Sequence, residues 1–239
     1  VKHWLYLPPP LVAGVERVLD ADRAHYLARV LRLPRGAVLV CFDGLGSACQ
    51  ATLSRVEGKT VILQIDATLE CRPAPGRRLH LVQGLLKGAA MEQVIQKATE
   101  LGATDLWLVA ADRSNVTLSA DRFDRKQAHW QRIVESAAAQ CRQLHLPRLH
   151  GPLDLASCLS ALAGTTLILL DPGGPTLPQT LPAEDLALLV GPEGGWSDLE
   201  RTLAQSSGAC RYGLGALILR AETAPLAMLA VARHSTGWA

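Results

Sequence analysis

The sequence has no apolar run long enough to cross a membrane. The longest, Ala224-Pro225-Leu226-Ala227-Met228-Leu229-Ala230-Val231-Ala232, is nine residues, about half of the roughly 18 to 20 that a spanning helix needs. Nor does an apolar signal core follow the start at Val1-Lys2-His3-Trp4, so a cytoplasmic location is expected. The six cysteines include no C-x-x-C pair, which argues against a zinc site or a disulfide framework and for reduced thiols. There is no H-E-x-x-H among the seven histidines, and His145 and His150 flank Pro147 rather than sharing a helix face. Surface histidines and no metal are expected. Both G-x-x-x-x-G-K-[ST] and G-x-G-x-x-G are also missing, which weakens nucleotide hydrolysis and ordinary dinucleotide binding.

What the chain does have is a core. Of its 239 residues 49% are hydrophobic and 19% charged, far from the composition of disordered chains. The length suits one large domain or two modest ones. The net charge of +2 is unevenly spread: residues 1–78 hold 11 Lys+Arg against 7 Asp+Glu, and the remainder 13 against 15. The basic excess is N-terminal, which fits either an ordinary solvated surface or an anionic partner.

Residues 1–70 read as short strands at 4–7, 37–42, 48–56 and 60–65, with turns at Asp43-Gly44-Leu45-Gly46 and Glu57-Gly58-Lys59. That spacing predicts a small barrel, interrupted by a helix around Asp22 to Leu31. Two prolines, a glycine and three arginines in residues 72–78 suit neither helix nor central strand, so residues 71–78 are expected to be a linker. From 79 to 239 strands alternate with helices. Strands are predicted at 79–83, 105–110, 166–170, 186–190 and 209–214, the runs Leu167–Leu170 and Leu186–Val190 being apolar without alternation, as in parallel strands covered on both faces. Met91, Val94, Ile95 and Ala98 mark one amphipathic helix, and Phe123, Trp130, Val134, Ala137 and Cys141 mark another. An α/β domain follows.

In such domains ligands bind beyond the carboxyl ends of strands. Gly191-Pro192-Glu193-Gly194-Gly195-Trp196 lies there, its three glycines allowing close approach of backbone amides to a ligand. Ser197-Asp198-Leu199-Glu200 follows with the form of a capping box, which starts a helix. A second constellation, Leu214 to Ala224, places Arg220 and Glu222 between an apolar run and the apolar helix from Ala224. The two charges are either a structural ion pair or site residues. Being apolar nearly all round, that helix is expected to be buried, within the domain or against a second subunit.

Leu189-Val190-Gly191-Pro192-Glu193-Gly194-Gly195, followed by Leu214-Gly215-x-x-Ile218-Leu219-Arg220-x-Glu222-Thr223-Ala224, resembles the ribosomal small-subunit methyltransferase E family of the SPOUT class of trefoil-knotted methyltransferases. The resemblance runs along the whole chain, through Lys87-Gly88-x-x-Met91-Glu92, Gln96-Lys97-x-x-Glu100-Leu101-Gly102, Arg113-Ser114 and Gln140-Cys141. His25-x-x-x-Val30-Leu31-Arg32 resembles the family's PUA-like RNA-binding barrel.

The resemblance implies a homodimer that uses S-adenosylmethionine to methylate N3 of one uridine in 16S ribosomal RNA. It implies a knotted, parallel-sheet α/β domain behind a PUA-like β-barrel. The methyl-donor residues it implies are Leu170, Gly191, Glu193, Gly194, Leu214, Gly215, Ile218, Leu219 and Thr223. The catalytic candidates are Arg220, to hold the developing uracil anion, and Glu222, the first choice for base. Arg29, Arg32, Arg113, Arg125 and Arg132 are the expected RNA contacts. Ala216, Leu217, Ala221 and Pro225 depart from the family's commoner Pro, Arg, Thr and Ala or Thr, so the loop they occupy differs in detail. The alternatives are a non-catalytic RNA-binding or assembly factor with the same fold and a nucleotide-dependent oxidoreductase.

Overall fold

In the computed structural model of the chain, the described residues are 3–58, 60–116, 120–182 and 184–235, and the side chains at 120–122 are not described. Val1, Lys2 and Lys59 of the sequence reading lie outside them. The chain forms two compact units, Val1–Ala74 with Ala138–Leu146, and Pro75–Ala137 with Pro147–Ala239.

The first unit is built on β1 (Trp4–Tyr6), β2 (Glu16–Val18), β3 (Val38–Phe42), β4 (Ser47–Glu57) and β5 (Thr60–Cys71), in the sheet order β1-β3-β4-β5-β2. β3 to β5 run antiparallel through tight turns, as the sequence predicts, whereas β1 pairs parallel with β3. The three-residue β2 was not foreseen, being too short to show a period. The helix expected over Asp22 to Leu31 is split into α1 (Ala21–His25), whose N-cap Asp20 accepts from Arg23 N, and a π turn over Tyr26–Val30 closed by Leu31 N donating to Tyr26 O at 2.9 Å. Leu5, Leu27, Leu39, Leu53, Leu63 and Ile65 fill its core. On the other side of the sheet, Ala138 and Leu144 pack on Val40, Phe42 and Ala48, so a segment far along the chain completes this unit.

The second unit holds a six-stranded sheet of β6 (Leu79–Gly84), β7 (Asp105–Val109), β8 (Arg148–Leu153), β9 (Thr166–Leu170), β10 (Leu186–Val190) and β11 (Cys210–Tyr212), in the order β11-β9-β10-β6-β7-β8. Every pairing is parallel. All five residues of β10 are buried, as its unbroken apolar sequence predicts for a central strand. Around the sheet lie α2 (Ala89–Glu100), α3 (Ala120–Cys141), α4 (Leu155–Ala161), α5 (Asp198–Ser206) and α6 (Ala224–Ser235). Leu155, Cys158, Leu159 and Ala204 of α4 and α5 share a core with Val82, Trp107, Leu169 and Leu189 of the sheet. α6 packs on β10 and α2. Among the described residues no helix is long and apolar enough to cross a membrane.

α6 is not buried all round within its own unit: Pro225, Met228, Leu229 and Ala232 are covered while Ala230 and Val231 are exposed, which leaves the second-subunit alternative open. The histidines are not all superficial either: His80 is 3% exposed. Its Nδ1 accepts from Trp107 Nε1 at 3.2 Å, and Trp107 stacks on His150 with ring centroids 3.9 Å apart. His150 Nε2 lies 2.8 Å from Asp105 Oδ1, and Thr104 Oγ1 donates to Asp105 Oδ2 at 2.9 Å. With Nδ1 engaged as an acceptor, the 3.5 Å approach of His80 to Asp105 is electrostatic rather than a hydrogen bond. The His80 imidazole can be buried because its Nδ1 has a hydrogen-bond partner in Trp107.

Burial pushes the His80 imidazole below its ordinary value, outweighing the upward pull of Asp105 and Asp185. Burial pushes Asp105 up, but hydrogen bonds from His150 and Thr104 and the histidine charges together hold it below the ordinary range. Both depressed values act in one direction. Below about pH 6.5 the unfolded chain takes up a proton at position 80 that the folded chain refuses, and below about pH 4 it does so at position 105. Stability should therefore fall as the pH drops below about 6.5, through the proton that His80 takes up only on unfolding. Urea titrations across this range should give a shallower slope for His80→Gln than for the wild type; equal slopes would assign the acid sensitivity elsewhere.

Candidate active site

Three strands of the second unit, β9, β10 and β11, end at the same edge of the sheet, and the loops beyond them enclose a pocket of about 670 Å³. From β9 come Leu170, Asp171 and Pro172. The loop after β10 supplies Gly191 to Trp196. The loop after β11 contributes Leu214 and Leu217 to Glu222.

The loop after β10 is a tight turn in which Gly195 N donates to Pro192 O at 2.8 Å and Gly195 takes a φ of +67°, a backbone region that favours glycine. Gly194 meets a further constraint from within the protein. A Cβ there would lie 2.9 Å from both Cβ and O of Arg113, so the glycine admits the neighbouring loop of the protein itself. Gln83, buried at the end of β6, donates through Nε2 to Gly191 O at 3.3 Å. Glu193 Oε1 accepts from Lys87 N at 3.2 Å, which turns its carboxylate toward the start of α2. α5 then begins with the expected capping box, Ser197 and Glu200 each accepting from the other's backbone N–H.

At the end of β9, Asp171 accepts from Arg211 Nε at 3.0 Å and from Gly173 N at 3.0 Å, and Arg201 Nε lies 3.9 Å from the same carboxylate. Arg201 also donates to Trp196 O at 2.8 Å. One carboxylate thus ties the β9 loop to β11 and to α5. Asp171 and Arg201 line the pocket and were missed in the sequence, although Asp171 directly follows an apolar strand and the rule of strand ends applied to it as well.

The loop after β11 is open. Leu217 and Ile218 are 79% and 84% exposed, and the Arg220 side chain is 85% exposed, with Nη1 3.9 Å from Oε1 of Glu222, which is 20% exposed. A contact of that length on an exposed cation is worth little as a structural ion pair. Arg220 O accepts from Thr223 N and Ala224 N at 2.9 and 3.0 Å, which starts α6 with Pro225 in its first turn.

Of the residues anticipated for the methyl donor, Leu170, Gly191, Glu193, Gly194, Leu214, Ile218 and Leu219 line the pocket, as do Arg220 and Glu222; Gly215 and Thr223 flank it in the chain without lining it. Arg113 abuts Gly194 from outside the pocket wall. Arg125 and Arg132 are exposed on α3, and Arg29 and Arg32 are exposed in the first unit. The pocket has the size of a cofactor site and combines apolar walls with a few polar groups.

Comparison with known proteins agrees with this geometry. The RNA methyltransferase domain family matches residues 72–233 and the RNA methyltransferase PUA domain matches residues 19–66. A ribosomal RNA small subunit methyltransferase E from Synechocystis sp. is 35% identical over 236 residues, covering 92% of this chain and 75% of that protein. Among solved structures, a Legionella pneumophila protein assigned as a methyltransferase and solved with bound cofactor SAM superposes with a TM-score of 0.91 at 29% identity, over 98% of each chain. A ribosomal RNA small subunit methyltransferase E from Neisseria gonorrhoeae bound to S-adenosyl methionine gives 0.87 at 28% identity, over 97% of each chain. On the sequence match to its relatives and the family domain covering more than half its length, the chain belongs to the ribosomal RNA small subunit methyltransferase E family.

Proposed function

We propose that this protein methylates N3 of a uridine in 16S ribosomal RNA of the small subunit, with S-adenosylmethionine as methyl donor, in the cytoplasm. The observation that carries the reading is the convergence of three strand-end loops on one pocket whose rim holds Arg220. Two relatives of similar fold were solved with S-adenosylmethionine, which supports the same occupant here. Residues 1–70, completed by 138–146, form the PUA-like RNA-binding barrel, 71–78 the linker and the rest of 79–239 the methyltransferase domain.

The methyltransferase domain is a SPOUT-type trefoil knot. Support comes from the crowding of two backbone segments, since a Cβ on Gly174 would lie 2.6 Å from Tyr212 C and one on Gly213 would lie 2.9 Å from Gly174 O. From β11, at the sheet edge, the chain returns to pack α6 on β10 and α2, the route of a chain threaded through the loop after β9.

Leu170, Gly191, Glu193, Gly194, Leu214, Gly215, Ile218, Leu219 and Thr223 hold the donor, by lining the pocket or by shaping the loops that do. Bound there, S-adenosylmethionine supplies an electrophilic methyl group. Transfer would form the N3–methyl bond as the methyl–sulfur bond breaks, its electron pair staying on the sulfur of departing S-adenosylhomocysteine, and the N3 proton leaves, so the ring passes through anionic character. Arg220 stabilises that charge. Its guanidinium is solvated in the free protein and becomes effective when RNA covers the rim and excludes water, because a charge acts more strongly where the surrounding dielectric is low. Glu222, less exposed and 3.9 Å from Arg220, accepts the proton.

Arg29, Arg32, Arg113, Arg125 and Arg132 contact RNA phosphates; all five are exposed cations. The protein acts as a homodimer, for which the uncovered face of α6 around Ala230 and Val231 supplies apolar surface.

Arg220→Ala should slow single-turnover transfer by roughly 10² with little change in donor affinity. Alkaline pH should restore part of the rate by deprotonating N3 beforehand. A variant that melts lower but transfers at the normal rate per folded molecule would reassign Arg220 to the scaffold. Donor binding without any transfer, together with unmodified rRNA in a strain that carries the gene, would leave an RNA-binding assembly factor.

Neutralising Arg29 and Arg32 together should weaken RNA binding and flatten its salt dependence by roughly one unit of slope per lost phosphate contact. Identical salt plots for variant and wild type would return both to ordinary surface charge.

Sedimentation at micromolar concentration should find a dimer, and Val231→Glu should shift it toward monomer. A fully active wild-type monomer is the contrary result.

A further inference from the structure

Glu200 is only 7% exposed and lies outside the pocket wall, yet both of its carboxylate oxygens are engaged, by different parts of the chain. Oε2 accepts from Ser197 N at 2.7 Å, which completes the capping box of α5. Oε1 accepts from Asp112 N at 3.0 Å, in the loop after β7. A second link runs alongside: Ser197 Oγ donates to Asp112 Oδ2 at 2.6 Å while accepting from Glu200 N at 3.2 Å.

A helix cap needs only one of these oxygens. The other fastens the loop at Asp112 to the start of α5, and the next residue of that loop, Arg113, is the one packed against Gly194. Ser114 secures the far side by donating from Oγ to Leu85 O at 2.7 Å. The loop at 111–114 is thereby held as a backing plate behind Gly194, which faces the pocket on its other side.

We propose that Glu200 is a positioning residue for the methyl-donor pocket: by bridging Ser197 and Asp112 it clamps the loop at 111–114 against Gly194 and keeps the turn at 191–195 in its binding shape before the donor arrives. The proposal rests on the reading of that pocket as the donor site. A preshaped site binds more tightly because no ordering is left to be done on binding.

The informative variant is Glu200→Gln. An amide has one accepting oxygen, so it can cap α5 or hold Asp112 N, but not both. Calorimetry with S-adenosylmethionine should show Kd weakened about 10-fold, the scale of one lost buried hydrogen bond. Steady-state kinetics should show KM for S-adenosylmethionine rising by a similar factor while kcat at saturation changes less than about 3-fold. Thr202→Gly, on the exposed side of α5, lowers helix stability without touching the bridge, and should leave Kd unchanged at an equal loss of Tm.

Hydrogen exchange read without donor should be faster at 112–114 and 193–196 in Glu200→Gln and normal there in Thr202→Gly. Should Glu200→Gln fail to fold, Asp112→Ala, which keeps the helix cap and removes the Ser197 Oγ link, should move exchange and Kd in the same direction. Unchanged exchange at 193–196, or an equal effect of Thr202→Gly on Kd, overturns the proposal. If instead the wild type binds no S-adenosylmethionine while exchange responds as described, the clamp stands and the reading of the pocket is what fails.

Discussion

The arrangement of the second unit depends on one constraint: β9, β10 and β11 run parallel in adjacent register, so their carboxyl ends reach the same edge of the sheet together. Backbone groups at a parallel sheet's end have no further strand to pair with, and the loops there must satisfy them internally. They do so with tight turns and short links, such as Gly195 N to Pro192 O and Asp171 N to Tyr212 O, each within 3 Å. That economy leaves no room for side chains at Gly174, Gly191, Gly194 and Gly213, and the loops so packed bring apolar and polar side chains together around the pocket. The walls are stiffened from behind by carboxylates, Asp171 toward β11 and α5 and Glu200 toward the loop after β7.

Against this braced wall stands the loop after β11, which carries Leu217, Ile218 and Arg220 almost entirely in solvent. The two sides of the pocket thus come from segments of opposite character. The fixed side is held by hydrogen bonds already formed, such as Gln83 Nε2 to Gly191 O, whereas the cation on the other side stands in solvent.

Much of this was legible in the sequence where the signal is local. The unbroken apolar runs at 167–170 and 186–190 gave the central strands, Ser197 and Glu200 gave the start of α5, and three glycines after a buried strand marked the pocket. What escaped depends on distant partners. β8, which was not foreseen, carries Pro152 at the sheet edge, where a missing N–H is tolerated, and lacks the unbroken apolar run of the central strands. His80 looked like a surface residue because its stabilising partners, Trp107 and Asp105, lie about 25 residues away in sequence on the next strand. Gly194 lies in the glycine-rich loop that the sequence marks, but its contact with Arg113 could be found only once two strand-end loops were seen to meet.

Residues 138–146 have a consequence for how such a chain can be inherited. Ala138 and Leu144 cover Val40, Phe42 and Ala48 of the first unit, and Gly46 N and Leu146 N donate to Leu144 O and Gly44 O. The N-terminal module is therefore discontinuous, its last piece encoded within the gene for the other module. A genetic crossover near the apparent linker at 71–78 would separate the sheet from its own cover and expose an apolar face. The two modules are bound to travel together through recombination, as a single heritable unit rather than as interchangeable parts.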